Sequence, residues 1–366
     1  MRHSRVVWFA AAIPRDSRGG VSRSMDGLCA GLTANGAVCR IVNSGEAGLL
    51  GNYLVFPLWL ALRYVFAFGN RPQWIVARST DGIVVAVLSH LFRLGLKTVL
   101  HSHGWEEKAY QAEREADAAV VSPKTTWKAR VFRFPLLRAT LALCDTCICG
   151  TIEEARWVKN RYPKVAARVV CVPNGVTAAA PSHRFSGFDP TPRFLAVGNT
   201  TWKKNIGYAV AVFRVMQKSV SGAQLFVIGS SSRELSLVTN DSLPSGVTAI
   251  ASEPPETMSK WFAHCPFFIT MSRYEGGRSL AMLEAMAQGC VVFTSAIPSA
   301  TECIKNAVNG FVVSGINPER DAETIVGVLR DQEMCEQVSL RALRFAKRQS
   351  WERQARRLER ALWPHC

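Results

Sequence analysis

The chain has 366 residues, of which 48% are hydrophobic and 20% charged, and its formal net charge is +16. That length and apolar content suit two cores and exclude a disordered chain. A basic excess produced by few acids points to an anionic partner: a nucleotide, a nucleic acid or an anionic membrane surface.

The amino terminus, Met1-Arg2-His3-Ser4-Arg5, leads into a short apolar run without a small-residue cleavage site, so no signal peptide is expected. Eleven cysteines, an odd number scattered without paired spacing, fit a reducing cytoplasm better than a disulfide framework. The first apolar run, Val6 to Phe9, is predicted to be a strand. It is followed by Gly19-Gly20 and a helix to about Asn35-Gly36. Paired glycines at a strand-to-helix turn bring backbone amides close to a phosphate or sugar, and they also make ordinary tight turns.

Further strands are expected at Val38–Val42, Trp74–Ala77 and Thr98–His101. Leu54 to Phe68 is the most apolar segment, contains Pro57 and Arg63, and is shorter than the roughly 20 residues that span a bilayer. It is expected to be a buried or interfacial helix. In His101-Ser102-His103-Gly104, alternation places both histidines on one face at the carboxyl end of a strand. His103 is the candidate for a polar contact to substrate and His101 is expected to pack; nothing nearby completes a metal site with them.

Between Lys124 and Arg138, the basic residues Lys124, Lys128, Arg130, Arg133 and Arg138 alternate with Trp127, Phe132, Phe134 and Leu137, and Pro135 is expected to interrupt the helix. Such a pattern suits a helix lying on an anionic bilayer, and equally a half-buried helix with a solvated basic side. Cys144 and Cys147 form a lone C-x-x-C beside Cys149, with no second pair and no nearby histidine; buried strand cysteines are expected rather than zinc ligands. Strands at Thr146–Cys149 and Val169–Val172 close this series before a loop rich in Pro, Ser and Ala.

A second series follows, with strands expected at Phe194–Val197, Leu225–Ile228, Val247–Ile250, Phe267–Thr270, Val291–Thr294 and Phe311–Val313. The alternation with amphipathic stretches predicts an α/β chain of two doubly wound Rossmann-like domains. They are expected over 1–178 and 193–348, facing each other across a cleft that holds the site, with a last helix in 349–366. At neither first turn is there a G-x-G-x-x-G or G-K-S/T, which counts against a dehydrogenase or P-loop NTPase. D-x-D, a common metal-diphosphate holder, is absent throughout.

The second domain opens with Gly198-Asn199-Thr200-Thr201-Trp202-Lys203-Lys204. Lysines at the start of a helix oppose its macrodipole, which makes sense if an anion occupies that end; a solvated surface pair is the plain alternative. The most informative stretch is Glu275-Gly276-Gly277-Arg278-Ser279-Leu280 through Glu284 to Gly289. Glycine amides and a helix N-terminus receive an anion, while carboxylates accept hydrogen bonds from vicinal hydroxyls. Phosphate plus hydroxyls means a nucleotide sugar. Leu280, Leu283, Met286 and Ala287 would otherwise read as the buried stripe of an ordinary helix.

With these residues in hand, the chain resembles the bacterial retaining glycosyltransferases of family four, the glycogen synthase and sucrose synthase type, over nearly its whole length. Similar elements are Gly19-Gly20, His103-Gly104, Asn174-Gly175 before the linker, Val197-Gly198 with Lys204, Ile228-Gly229, Glu275 with Glu284-Ala285-Met286-Ala287-Gln288-Gly289, Glu302, Asn309-Gly310, and Ser350-Trp351-Glu352 at the start of a last helix that returns to the first domain. The resemblance implies a GT-B fold and metal-independent transfer, with no cofactor, of a hexose-type sugar from a nucleotide-diphosphate sugar. The implied acceptor is a cell-envelope glycan or lipid-linked glycan. With the cysteine usage and the basic segment, this gives an expected location in the cytoplasm, peripheral to the inner face of the membrane, and no nucleic-acid partner is expected.

It further implies that Glu284 accepts from the ribose hydroxyls and that Lys204 with the Gly276 and Gly277 amides holds the diphosphate. Glu275 would hold the sugar hydroxyls and His103 the sugar from the opposite domain, with Gly19, Gly20, Asn199, Lys203, Arg278 and Ser279 completing the donor site. Two departures stand out: eight residues separate Glu275 from Glu284 where the family has seven, and Asn199 stands where an arginine is common, so Arg278 or Lys203 is expected to supply that charge. Rival readings are a sugar-nucleotide epimerase of the same fold, a non-catalytic homologue, and a basic nucleic-acid binder, for which no recognition motif is present.

Overall fold

In the computed structural model, residues 5–14, 19–48, 55–67, 71–116, 129–177, 191–239 and 241–364 are described. The chain forms two compact units, one of residues Met1–Gly175 with Trp351–Cys366 and one of Val176–Ser350. Each is built on a parallel sheet, and all twelve expected strands are present within a residue or two.

In the first unit the strands are β1 (Val6–Ala11), β2 (Val38–Asn43), β3 (Trp74–Arg78), β4 (Lys97–His101), β5 (Thr146–Cys149) and β6 (Val169–Cys171). They lie in the order β2-β1-β3-β4-β5-β6, every neighbouring pair parallel. Continuous apolar runs form the inner strands β1 and β3 because helices cover both faces there, while the edge strand β2 keeps Val38 and Arg40 exposed. Val7 and Phe9 of β1 pack in one cluster with Leu28 and Leu358, while Val6, Trp8 and Ala10 pack in another with Phe56 and Leu60. Cys144, Cys147 and Cys149 are buried in a third cluster with Leu137 and Leu141.

The last helix, Trp351–Leu362, lies against the first, Gly20–Ala34. The approach is close enough that a Cβ on Gly31 would come within 2.7 Å of the Ala355 Cβ, and one on Gly27 would enter the Trp351 ring. Gly175 lies under the same ring, and Asn174 Oδ1 accepts from Ser24 Oγ at 2.8 Å, so the Asn174-Gly175 turn serves this packing.

The segment expected as a buried or interfacial helix is the helix Phe56–Val65. The basic and aromatic segment is described from residue 129, with Lys124, Trp127 and Lys128 outside the described residues. Pro135 does not interrupt it: a π-type turn, Ala129–Arg133, leads into the helix Phe134–Leu143, and Pro135 occupies its first turn. Proline is tolerated there because the first amides of a helix have no intrahelical acceptor to lose.

In the second unit β7 (Arg193–Val197), β8 (Gln224–Ile228), β9 (Val247–Ile250), β10 (Phe267–Thr270), β11 (Val291–Ser295) and β12 (Phe311–Val313) take the order β12-β11-β10-β7-β8-β9, again all parallel. Phe194, Phe267 and Phe293 bury one face with helices Ile206–Met216 and Pro318–Leu329. Leu195, Phe268 and Val292 bury the other with Leu280–Gln288 and Gln332–Lys347. Side-chain caps start three of these helices: Ser279, Asn317 and Asp331 accept from the amides of Met282, Arg320 and Met334.

Candidate active site

The second sheet reverses its order between β7 and β10, and in open α/β sheets ligands sit outside the carboxyl ends of the strands at that point. Two loops leave it there. After β7 come Gly198 and the turn that holds Lys203 and Lys204; after β10 comes the run from Met271 to Ser279. The two are stitched together by Arg273 N–H donating to Lys203 O at 2.8 Å. The Lys204 Nζ donates to Glu275 Oε1 at 2.6 Å, and Ser272 Oγ donates to the same oxygen at 2.8 Å. Lys203 is exposed, its Nζ 5.5 Å from the centre of the Tyr274 ring.

Strand ends β7 and β8 also approach closely. Gly229 has φ +102°, and a Cβ there would lie 3.0 Å from Gly198 O, which also accepts from Ser230 Oγ at 3.0 Å. Only glycine meets both demands.

Gly276 and Gly277 are half-buried in the turn that leads to the helix Leu280–Gln288, which Ser279 caps. Nearly every side chain of that helix is buried; Glu284, at its middle, is half-buried and is its one ionisable group. Gly289 ends it at φ +85° and accepts from Ser339 Oγ at 2.6 Å. Arg278 is 8% exposed and donates to Gln349 Oε1 at 2.7 Å, so its charge is engaged within the unit. Asn199 is exposed, and its Oδ1 accepts from Thr201 Oγ1 at 2.6 Å. Glu275 and Ser279 line a small recess with Thr270, Ser272, Thr294 and Ser299, and with the apolar Met282, Ile297 and Ala300. Apart from Ser279, the hydroxyls of this recess escaped sequence reasoning, because they sit on separate strands, a loop and a short helix and carry no motif.

The first unit carries its own set of candidate residues. Gly19 caps the helix Gly20–Ala34 in extended conformation, both glycines exposed. The His101 and His103 rings lie with their centres 4.0 Å apart, tilted by 41°. His103 is half-buried as a residue, yet its Nε2 is covered, and neither that atom nor His101 Nδ1 has a hydrogen-bond partner among the described residues. Burial holds His101 down to about 4, and burial, with His101 and Arg78 beside it, holds His103 well below the usual range. Both are neutral imidazoles at physiological pH, able to donate one hydrogen bond and accept another.

Two buried carboxylates that sequence reasoning missed position these loops. Asp81, following β3, accepts from Ala12 N–H at 2.7 Å, and burial raises it to about 6. Glu154 accepts from Ser102 Oγ and Gly150 N–H, each at 3.0 Å, and from Trp105 N–H, so it clamps the turn that bears His103. Burial raises it to about 7. A signal was present: Thr151-Ile152-Glu153-Glu154 has capping-box spacing. Thr151 Oγ1 does accept from Glu154 N–H at 3.0 Å, but the carboxylate turns to neighbouring loops instead of back to the cap. Among the described residues no group of three or more His, Cys, Asp or Glu side chains could hold a metal ion.

Comparison with known proteins adds the following. The profile described as Glycosyltransferase Family 4 matches residues 18–179, and that described as Glycosyl transferases group 1 matches 181–344. The amylovoran biosynthesis glycosyltransferase AmsK of Erwinia amylovora is 26% identical over 145 residues, an alignment covering 37% of this chain and only 35% of that relative's length. Among solved structures, sucrose-phosphate synthase from Thermosynechococcus elongatus superposes with TM-score 0.75 at 16% identity over all of both chains. HepE of Anabaena in complex with UDP and glucose gives 0.70 at 15%, over 98% of this chain and all of that one. WaaG, a glycosyltransferase involved in lipopolysaccharide biosynthesis, gives 0.73 at 15%, over 97% and 99%. At such identities the likeness is one of fold, GT-B, and the matched profiles carry the assignment: the chain belongs to the group 1, family 4 glycosyltransferases.

Proposed function

We propose that the protein is a retaining glycosyltransferase that moves a hexose-type sugar from a nucleotide-diphosphate sugar to a cell-envelope or lipid-linked glycan. The observation that carries this reading is the Lys204–Glu275 pair at the switch point of the second sheet, directly before a capped helix that bears Glu284. An ion pair of this exposure, with 31% and 15% of its side chains accessible, can exchange partners. A diphosphate takes the Lys204 ammonium and Glu275 turns to sugar hydroxyls. Lys203 and the amides of Gly276 and Gly277 add to the phosphate charge, and Glu284 accepts from the ribose.

During transfer the bond between the sugar C1 and the phosphate oxygen breaks, and its electron pair stays on the diphosphate, where Lys203 and Lys204 stabilise it. The acceptor hydroxyl bonds to C1 from the face the leaving group vacates, and its proton passes to the departing phosphate oxygen. Neutral His103 supplies a hydrogen bond to a substrate hydroxyl. In support, HepE is described in complex with UDP and glucose, and starch synthase IV from Arabidopsis thaliana bound to ADP and acarbose. The names of AmsK and WaaG support a surface glycan as acceptor.

The test is a thermal-shift screen of UDP-, GDP-, ADP- and dTDP-sugars, since a ligand that binds only the folded state raises the melting temperature. One donor family is expected to stabilise the protein and to yield a product with the donor's anomeric configuration by proton NMR. No stabilisation by any donor, or the opposite anomer, contradicts the proposal, and conversion of the donor without acceptor shows an epimerase. Lysine charge in place of D-x-D further predicts that EDTA leaves activity intact. Loss on chelation that magnesium or manganese restores counts against that assignment.

A further inference from the structure

The helix Phe56–Val65 is apolar on two sides. Phe56, Leu60, Ala61 and Tyr64 form its buried stripe, while Leu58, Leu62, Val65 and Phe66 lie on the opposite side, Leu58 at 53% and Phe66 at 64% exposure. A helix hydrophobic all round belongs in a core or against lipid. It packs beside the helix Ile83–Phe92, whose end is also apolar and open: Leu91 is 71% and Phe92 68% exposed. That helix closes through Arg93 in the left-handed region, φ +48°, and Gly95, φ +68°.

Both helices run against parallel strands, so their carboxyl ends meet at the edge where β3 and β4 begin. The same edge is basic. Arg71 and Arg93 are exposed and Arg63 half-exposed, and Arg71 lies over the Tyr64 ring and donates to Val65 O at 3.0 Å. Between Glu46 and Glu106 the sequence holds a single acid, Asp81, which is buried. By contrast, two arginines of the segment first expected to meet a membrane are tied to acids, Arg133 to Glu106 and Arg138 to Glu107.

We propose that the exposed apolar and arginine-bearing edge formed by the ends of helices Phe56–Val65 and Ile83–Phe92 docks on an anionic lipid bilayer. The apolar side chains enter the headgroup boundary and the arginines meet lipid phosphates, a pairing that neither part achieves alone. No described helix is long and apolar enough to cross a membrane, and the proposed attachment needs none.

The experiment is co-sedimentation of the full chain with phosphatidylcholine vesicles with and without phosphatidylglycerol. Binding is expected with the anionic vesicles and is expected to weaken with added salt. The Arg63→Gln/Arg93→Asn variant should lower the partition coefficient about thirtyfold, from roughly one unit of electrostatic attraction per arginine. The Phe66→Ser/Leu91→Ser/Phe92→Ser variant should lower it at least about tenfold. Phe66, Leu91, Phe92 and Arg93 are exposed and Arg63 is partly exposed, and circular dichroism melting checks that both variants fold. Equal binding to neutral and anionic vesicles, binding to neither, or wild-type binding by either folded variant overturns the proposal. So does concentration-dependent dimerisation in the ultracentrifuge that the triple variant abolishes, because the face would then belong to a second copy.

Discussion

The two sheets reverse strand order in corresponding places, between β1 and β3 in one and between β7 and β10 in the other, and at each place a side chain ties the two loops. In the first unit the tie is Asp81, buried at 7% exposure and bonded to the Ala12 amide. In the second it is the accessible Lys204–Glu275 pair. A buried carboxylate on a backbone amide cannot leave without orphaning a donor fixed in the main chain, whereas in a partly exposed ion pair a ligand phosphate replaces the carboxylate on the lysine and the Ser272 hydroxyl that also bonds Glu275 is free to rotate. One tie is fixed scaffold and the other is placed to exchange partners, and that difference, rather than topology, is the ground on which we propose donor chemistry for the second unit.

The largest expected effect separates them directly. Glu275→Ala is expected to lower kcat by about a hundredfold to a thousandfold, the scale of losing a charged group that acts on the transition state. Steady-state kinetics at saturating donor provide the check, and wild-type turnover would place the sugar elsewhere.

A second effect concerns pH. Burial raises Glu154 from 4.5 to about 7, so between those values the folded protein keeps a proton that the unfolded chain releases. Its contribution to stability is full below pH 4.5 and is lost as pH rises toward 7. Relative to wild type, Glu154→Gln should therefore gain on the order of 3 kcal/mol between pH 4.5 and 7, on top of any constant cost of its altered hydrogen bonds. Urea unfolding at both pH values measures this, and a pH-independent difference refutes it.

The third is smaller. Asp81→Ala should cost about 2 kcal/mol of unfolding free energy by leaving the Ala12 amide without its acceptor. Denaturant melts showing no loss would mean that this tie, too, is exchangeable.

The strands were legible in the sequence because both faces of each sheet are covered, which turns a strand such as Phe267–Thr270 into an uninterrupted apolar word. The glycine turns were legible too, since Gly198, Gly229 and Gly289 stand where backbone must approach closely or take positive φ. Partnership across long separations was not. Nothing in the spacing of Lys204 and Glu275 announces that they meet, and Arg278 reads as a free charge until Gln349 is seen beside it. Asp81 and Glu154 do not stand out in the sequence, because burial is a property of the fold and not of the residue. Pro135 was taken for a helix breaker when it is a helix starter, the ambiguity of any proline whose preceding turn is unknown.

The most direct test of the central claim is calorimetric titration of the stabilising nucleoside diphosphate into wild type, Lys204→Ala, Glu284→Ala and His103→Ala. The two second-unit variants are predicted to bind about tenfold to a hundredfold more weakly, the worth of a charge-assisted hydrogen bond, with His103→Ala within about threefold of wild type. Wild-type affinity in Lys204→Ala, or a loss in His103→Ala as large as in Lys204→Ala, would contradict the assignment of the diphosphate to the exchangeable pair.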